Sequence, residues 1–207
     1  MTAPAPNRVT PMGDIVAIPL RGAYTGNRGI LHSGRRIVRF HASDLWITCE
    51  LRFRGRWREQ WRPGHYTHLY FHDEAVSFAA GHRPCAECRR ADYRAYRAAW
   101  SAALGGPEPS AREMNRRLHA ERLVRGTHRR RLHQLPWTGL PDGAFVRYED
   151  GAALVLADEL VAWTTEGYGA RLRRPVGGAA EVVTPPATLA ALAAGYPVRI
   201  DPSARRR

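Results

Sequence analysis

The distribution of apolar residues predicts several short β-strands in the first part of the chain. Candidate strands cover residues 14–18, 36–40, 45–53 and 66–71. In residues 45–53 every second side chain is apolar or a cysteine, which is typical of a strand that turns one face toward a core. We therefore predict that Cys49 points inward beside Leu45 and Leu51.

Helical patterns follow these strands. Residues 73–80 predict an Ala-rich helix that ends at Gly81, and a second predicted helix begins near Cys85 and continues to about Leu104. Ser110 and Glu113 have the spacing of a capping box, which predicts the start of a third helix.

The pattern after Pro136 returns to strands. Residues 144–148 and 152–156 predict a hairpin, and residues 181–183 predict a strand before a short helix. Together these patterns predict an α+β fold in four parts. They are a flexible tail at 1–13, a small strand–helix unit at 14–105, a basic helical connector at 106–136 and a β-rich C-terminal unit at 137–207.

The chain carries a large positive charge, all of it on arginine. Its 32 basic and 19 acidic residues give a formal net charge of +13. A coding sequence rich in G and C explains the choice of Arg over Lys, but it does not explain the surplus of positive charge. Such a surplus is typical of proteins that bind polyanions, so we predict nucleic acid as the partner, and DNA rather than RNA.

The number of cysteines and the absence of long apolar segments bear on the compartment. Three cysteines cannot form a closed set of disulfides, and they favour metal binding or free thiols in a reducing compartment. The first residues lack the apolar segment of a secretory signal, and no apolar stretch is long enough to span a membrane. We therefore predict a cytoplasmic protein with no membrane partner.

Cys85 and Cys88 are spaced to bind one metal ion. A Cys-x-x-Cys turn brings two thiolates to one side, and Pro84 fixes the approach of the chain. A redox pair or two buried thiols are the alternatives. A thioredoxin-type pair follows a strand, whereas here the end of a helix at Gly81 precedes the cysteines, so we predict Zn²⁺ as the cofactor.

Residues 71–89 run from a strand ending in Phe through an Ala-rich helix to Ala-Gly-His-Arg-Pro-Cys-Ala-Glu-Cys-Arg. This segment resembles the second half of the zinc-binding domain of the Ada DNA-repair proteins, and the resemblance covers roughly residues 45–90. It implies zinc coordination by four cysteines, one of which accepts a methyl group from a DNA methylphosphotriester. It also implies that Cys49 is a third zinc ligand.

The sequence departs from the Ada pattern at the fourth ligand. Phe53 stands where the family has its remaining cysteine. The fourth ligand is then a histidine, an acidic residue, water or nothing, and His82 and His119 are the principal candidates. Four protein ligands are typical of a structural zinc site, whereas three ligands and a water are typical of a catalytic one.

A second interpretation is a zinc-dependent deaminase or hydrolase. The Pro-Cys-x-x-Cys form also occurs in zinc deaminases, which need a His-x-Glu motif for the remaining ligand and for proton transfer. His119 and Glu121 supply this motif downstream of the cysteines, which requires a permuted order. His72 and Glu74 supply a second copy that lies close upstream of Cys85.

Arginines around the cysteines and in the connector form the predicted nucleic-acid interface. They are Arg83, Arg89, Arg90, Arg94, Arg97, Arg129, Arg130 and Arg131. A separate loop, Gly26 to His32, combines glycines with Asn27, Arg28 and His32, a mixture that can hold a phosphate. A third interpretation is a structural or partner-binding zinc protein, and the sequence does not decide whether the protein is an enzyme.

Overall fold

The computed structural model describes residues 3–55 and 59–206, which form a mixed α+β fold of three sheets and four α-helices. The strands of the first half are β1 (Arg8–Val9), β2 (Ile15–Val16), β3 (Tyr24–Asn27), β4 (His32–Ser33), β5 (Arg36–Ile37), β6 (Ile47–Glu50), β7 (Leu69–Phe71) and β8 (Arg83–Pro84). The strands of the second half are β9 (His133–Pro136), β10 (Phe145–Tyr148), β11 (Gly151–Leu156), β12 (Glu159–Thr164), β13 (Gly167–Arg173) and β14 (Ala179–Val182). The helices are α1 (Glu74–Ala79), α2 (Arg90–Leu104), α3 (Ala111–Arg122) and α4 (Pro186–Ala193), with a 3₁₀ turn at Pro202–Arg205.

The first large sheet has the strand order β2-β1-β7-β3-β6-β8. Its strand β1 lies between β2 and β7, and Val9 is buried there. Residues 1–13 are predicted to be a flexible tail, yet residues 8–9 contribute this interior strand because Val9 packs into the core; Met1 and Thr2 lie outside the described residues. At the opposite edge β8 pairs in parallel with β6, and this edge carries the cysteines.

The second large sheet is antiparallel, in the order β13-β12-β11-β10-β14-β9. The predicted hairpin is confirmed, because β10 and β11 pair from Phe145 opposite Leu154 to Tyr148 opposite Gly151. Residues 152–156 of β11 are all buried, as expected for a strand covered on both faces.

One hydrophobic cluster connects the two large sheets. It contains Val9 and Phe71 from the first sheet and Phe145, Leu154 and Val161 from the second. Because removal of apolar surface from water is the main favourable contribution to folding, this shared cluster holds the two predicted units at 14–105 and 137–207 together.

The helices surround these sheets. The predicted capping box of α3 is confirmed, since Ser110 Oγ accepts from Glu113 N at 3.3 Å and Glu113 Oε2 accepts from Ser110 N at 2.7 Å. Helix α2 packs on α4, where the Tyr96 and Thr188 hydroxyls lie 2.8 Å apart. Within the described residues, no helix has the length and apolar character needed to cross a lipid bilayer.

Candidate metal centre

Three sulfur atoms meet at the β8 edge of the first sheet. β6 and β8 pair through Thr48 and Pro84, and the amide of Cys85 donates to Thr48 O at 2.9 Å. This pairing places Cys49 beside Cys85, and the following turn returns Cys88 to the same place. The Sγ atoms of Cys49, Cys85 and Cys88 all lie within 4.8 Å of one another.

In the turn after β8, backbone N–H groups hold the sulfur atoms of Cys85 and Cys88 in place. Residues 86–89 form turns, and Arg89 N donates to Cys85 O at 3.2 Å. Cys85 Sγ accepts from Glu87 N, and Cys88 Sγ accepts from Glu50 N, both at 3.4 Å. N–H donors of this kind stabilise thiolates. The sequence pattern predicted that a helix begins near Cys85, but α2 begins only at Arg90, after the turn has brought the sulfurs together.

The predicted inward orientation of Cys49 is wrong. The buried side chains of this segment are Trp46, 1% exposed, and Thr48, 0% exposed, while Leu45 and Leu51 are 42% and 40% exposed. Successive side chains of a strand point to opposite faces, and Trp46 and Thr48 occupy the inner face. Cys49 therefore lies on the outer face of β6, where it is half-buried. Cys88 is also half-buried, whereas Cys85 is buried. The sulfur cluster therefore borders the protein surface.

Hydrogen bonds among the three thiols shift the pKa values of Cys85 and Cys49 in opposite directions. S–H groups of Cys49 and Cys88 donate to Cys85, which lowers the pKa of Cys85 to about 2. Donation to Cys85 and Cys88, together with burial, raises the pKa of Cys49 far above its usual range. Sulfur atoms that lie this close together and accept hydrogen bonds are suited to bind a thiophilic cation as thiolates.

Two arginines that neighbour the cysteines in the sequence are buried. Arg83 is 2% exposed, and its Nε donates to Asn115 Oδ1 at 2.8 Å. Burial lowers the pKa of Arg83, while the neighbouring Tyr93 and the thiol groups of Cys85 and Cys49 act in the opposite direction. Arg89, also 2% exposed, forms an ion pair with Glu74 at 2.5 Å. The Arg89 charge is thus matched by a carboxylate, whereas the Arg83 charge acts on the thiol groups of Cys85 and Cys49.

Neither predicted histidine joins this cluster. Among the described residues, the group of ligand atoms consists of the three cysteine sulfurs alone. His82 is 0% exposed, and its ring packs against Phe71 and Trp46 with centroids 4.6 Å and 5.1 Å away. His119 Nδ1 lies 2.9 Å from Arg122 Nη2, and His119 is not part of the cysteine group. The half-buried Phe53 lies in the loop after β6, with the Arg54 guanidinium 5.0 Å from its ring.

The two candidate proton carriers are occupied by structural contacts. Glu121 Oε1 accepts from Arg117 Nε at 2.9 Å, and Oε2 accepts from Ala187 N at 2.9 Å, at the start of α4. Glu74 is 0% exposed and accepts from Tyr196 OH at 2.8 Å and Arg199 N at 2.9 Å, besides its ion pair with Arg89. Both carboxylates connect elements that are distant in sequence.

The eight predicted nucleic-acid contacts divide into exposed and internally bonded arginines. Arg83 and Arg89 are buried as described, and Arg130 Nη2 donates to Val183 O at 2.6 Å and to Ala79 O. Arg97 donates to Pro109 O at 2.7 Å and lies 3.4 Å from the Glu108 carboxylate. The exposed members are Arg90, Arg94, Arg129 and Arg131, and Arg131 in addition donates through Nε to Leu123 O at 3.3 Å.

Sequence reasoning missed a basic interior next to the sheet. Arg28 and Arg122 are both 0% exposed, and their guanidinium carbons lie 4.0 Å and 3.7 Å from the Trp46 ring, which both of them contact. His82 and His41 also pack on Trp46. The only sequence signal was the Gly26 to His32 segment, in which Arg28 combines with glycines.

Comparison of the chain with protein-family models, with curated proteins and with solved structures found no match. The likeness to the Ada domain therefore rests on the three cysteines and on the segment that joins them, and the geometry assigns a cluster of three cysteines that can bind a metal ion.

Proposed function

We propose that Cys49, Cys85 and Cys88 hold one zinc ion and that the protein associates with nucleic acid, DNA rather than RNA, beside this ion. The meeting of three sulfur atoms within 4.8 Å carries the proposal. A tetrahedral zinc site with Zn–S bonds of about 2.3 Å needs sulfur atoms about 3.8 Å apart, a separation that small side-chain rotations provide. In this arrangement the unit at 14–105 binds the metal and the connector at 106–136 adds basic groups.

The proposed site has three protein ligands and an open fourth position. Cys49 and Cys88 are half-buried, so water or a substrate atom can reach the metal. Zinc sites with three protein ligands and an exchangeable fourth group support chemistry, whereas closed sites serve structure.

Metal content of purified protein tests the zinc site. We expect stoichiometric zinc in the wild type and in the control His119→Gln, and loss of zinc in Cys49→Ser, Cys85→Ser and Cys88→Ser. Cobalt substitution provides a second readout, since thiolate-to-metal charge-transfer bands report the number of sulfur ligands. Full zinc retention in Cys85→Ser and Cys88→Ser would refute the site, and loss of zinc in His119→Gln would favour the permuted deaminase.

Exposed arginines beside the cysteines support the nucleic-acid part of the proposal. Arg90 begins α2 two positions after Cys88, and Arg94 lies one helical turn further on; both are exposed. Residues four apart share one face of a helix, so these two guanidinium groups can follow adjacent phosphates.

The double variant Arg90→Gln/Arg94→Gln tests this interface. We expect weaker binding to DNA and a salt dependence reduced by about one unit of log–log slope for each arginine lost. Arg112→Gln/Arg173→Gln removes the same charge at two other exposed positions and serves as the matched control. Equal DNA affinity of the two double variants would show that Arg90 and Arg94 do not form the interface. Zinc binding without any DNA or RNA affinity at low salt would instead favour a structural or partner-binding zinc protein.

A repair reaction is the finer form of this proposal, and the outward position of Cys49 favours it. In that reaction a zinc-bound thiolate attacks the methyl carbon of a DNA methylphosphotriester, the carbon–oxygen bond breaks, and the phosphodiester leaves with its negative charge. Incubation with such DNA should add one methyl group to a cysteine, located by peptide mass spectrometry. Unchanged cysteine masses in protein that retains zinc and binds DNA would exclude the reaction while leaving the binding function intact.

A further inference from the structure

A cavity beyond the carboxyl end of α3 is lined by basic and imidazole side chains. Its volume is about 590 Å³, within the range of cavities that hold ligands of nucleotide size. The polar side chains around it are those of Arg116, Arg125, Arg131, His41, His119, His128 and Thr127. None of the described residues that line it is acidic.

The interior behind this cavity adds further positive charge. Arg122, which contacts His119, is 0% exposed, as is Arg28, which also packs on the Trp46 ring. Arg28, Arg122 and Arg130 all donate to backbone carbonyl groups, and within residues 3–55 and 59–206 no carboxylate lies within ion-pair distance of any of them.

These guanidinium groups also have unsatisfied donors. Arg28 Nη2, Arg122 Nε and Arg130 Nε are buried and have no hydrogen-bond partner among the described residues. Buried cations with no paired carboxylate are unusual and costly, and they create a positive potential in the adjoining cavity. Asp14 and Asp44 moderate this potential from a distance, as their influence on Arg28 and Arg122 shows.

The end of α3 does not cancel this potential. A helix carboxyl end carries partial negative charge on its unpaired carbonyl groups. Here Glu121 O accepts from His133 Nε2 at 2.8 Å, Arg122 O accepts from Arg131 N at 3.0 Å, and Leu123 O accepts from Arg131 Nε at 3.3 Å. The last carbonyl groups of the helix are thus already paired within the protein.

The remaining surface of the cavity suits a flat organic group. Leu123, Val124 and Ala120 line it, and the imidazole ring of His41 lies 5.1 Å from that of His119 and 5.4 Å from that of His128. Imidazole rings are among the side chains on which nucleobases stack. The three histidines do not themselves form a metal site, because their nitrogen atoms do not meet the ligand spacing that the three cysteines do.

We propose that this cavity binds a nucleotide, with its phosphate among Arg125, Arg131 and His119 and its base against the imidazole and aliphatic side chains. The proposal does not depend on the zinc ion or on the Arg90/Arg94 face. The nucleotide comes either from solution or from a single-stranded nucleic acid, since both present the same phosphate and base.

Titration calorimetry with AMP, adenosine and inorganic phosphate on the zinc-loaded full chain tests this proposal. We expect AMP to bind at least about tenfold more tightly than adenosine or phosphate, and Arg131→Gln and Arg125→Gln to weaken AMP binding by about tenfold or more each. Arg112→Gln, an exposed change on α3 away from the cavity, should leave the affinity unchanged. Unaltered zinc content and Tm show that the variants are folded.

Competition separates the two sources of the nucleotide. Displacement of AMP by a 5′-phosphorylated oligodeoxythymidine identifies a strand as the source, and AMP binding without such displacement identifies the free nucleotide. Arg90→Gln/Arg94→Gln should retain AMP affinity even where DNA affinity falls, so a failed DNA interface and a failed cavity are distinguishable. No AMP binding at millimolar concentration, or an Arg131→Gln affinity equal to that of Arg112→Gln, would overturn the proposal.

Discussion

The guanidinium group of Arg89 joins the cysteine turn to three carboxylates. Its Nη2 lies 2.5 Å from Glu74 Oε1 and 2.8 Å from Asp92 Oδ2, and its Nε lies 3.4 Å from Glu50 Oε1. Burial alone would lower the pKa of Arg89, but the Glu74 and Asp92 carboxylates outweigh burial and raise it. Arg89 therefore stays charged and fixes the turn that presents Cys85 and Cys88.

Glu74→Gln should destabilise the protein by about 3–5 kcal/mol, because it leaves the buried Arg89 charge without its closest partner. The free energy of unfolding in urea measures the effect. Glu166→Gln, at an exposed carboxylate, is the matched control and should change stability by less than about 0.5 kcal/mol. Similar stability of the two variants would show that the ion pair contributes little.

The sequence predicted the identity of the three clustered residues, but not their surroundings. Spacing identified Cys85 and Cys88, and the Ada resemblance added Cys49. The predicted orientation of Cys49 was wrong because the alternating pattern from Leu45 to Phe53 does not tell which face of the strand is buried. The large buried side chain in this segment is Trp46, which points to the other face. Buried Arg28 and Arg122 were missed because arginine is normally exposed, and nothing local marks the exception.

At the scale of elements, Gly81 sets the angle between α1 and β8. Its φ is +87°, and a Cβ atom there would lie 2.5 Å from Arg122 Cδ. Glycine thus permits both the left-handed turn after α1 and the close approach of Arg122, whose Nη1 donates to Gly81 O at 2.9 Å. This turn delivers His82, Arg83 and the cysteines to the edge of the sheet.

Gly81→Ala should therefore destabilise the protein more than Gly105→Ala. Both positions have positive φ, but a Cβ atom at Gly105 meets nothing within 4 Å. Backbone strain of about 1–2 kcal/mol is common to both variants, and the contact with Arg122 adds about 1–3 kcal/mol in Gly81→Ala alone. Thermal and urea unfolding measure the difference, and equal destabilisation would contradict the role assigned to Arg122.

Elements with local signals were predicted and elements fixed by distant partners were not. The capping box of α3 and the β10–β11 hairpin were recognised because their signals lie within a few residues. Strand β3 was missed because Gly26 weakens its pattern. A Cβ atom at position 26 would collide with Ile47 O, so only glycine allows this close pairing with β6. Its place in the sheet depends on residues far along the chain.

For the whole molecule, the histidines around Trp46 resist protonation. Burial and the neighbouring charges of His119, His128, Arg122 and Arg28 lower the pKa of His41 to about 4. Burial and Arg122 lower the pKa of His119, against the opposing influence of Asp44, and burial with Arg28 and Arg122 lowers that of His82 further. The folded protein therefore binds fewer protons on these groups than the unfolded chain does.

Stability should consequently fall as the pH decreases from about 6.5 to about 4, because the unfolded state gains protons in this window that the folded state does not. Burial raises the pKa of Asp73, so the folded protein binds more protons at this carboxyl than the unfolded chain does, and this opposes the loss of stability. The contribution of the histidines is therefore measured as the difference between a histidine variant and the wild type. The loss of Tm between about pH 7.5 and about pH 5 should be smaller in His41→Gln/His119→Gln than in the wild type. An equal loss would assign the acid sensitivity to other groups.

The division into units along the chain stays a prediction, and the shared core explains why sequence patterns describe it poorly. Residues of both predicted units, among them Phe71 and Phe145, enter one cluster. Hydrophobic patterns report which face of an element is buried, but they do not report which distant element covers it.

The contacts of Glu74 make the final geometry of the cysteine turn depend on residues that are synthesised much later than the cysteines. The contacts of Glu74 with Tyr196 and Arg199 connect residues 122 and 125 positions apart, and Asp73 Oδ2 accepts from Asp201 N across 128 positions. A ribosome makes the three cysteines long before residues 196–201 exist. The carboxylate that holds Arg89 is therefore fully fixed only after residues 196–201 have emerged from the ribosome, so we expect the cysteine turn to reach its final geometry no earlier than that point.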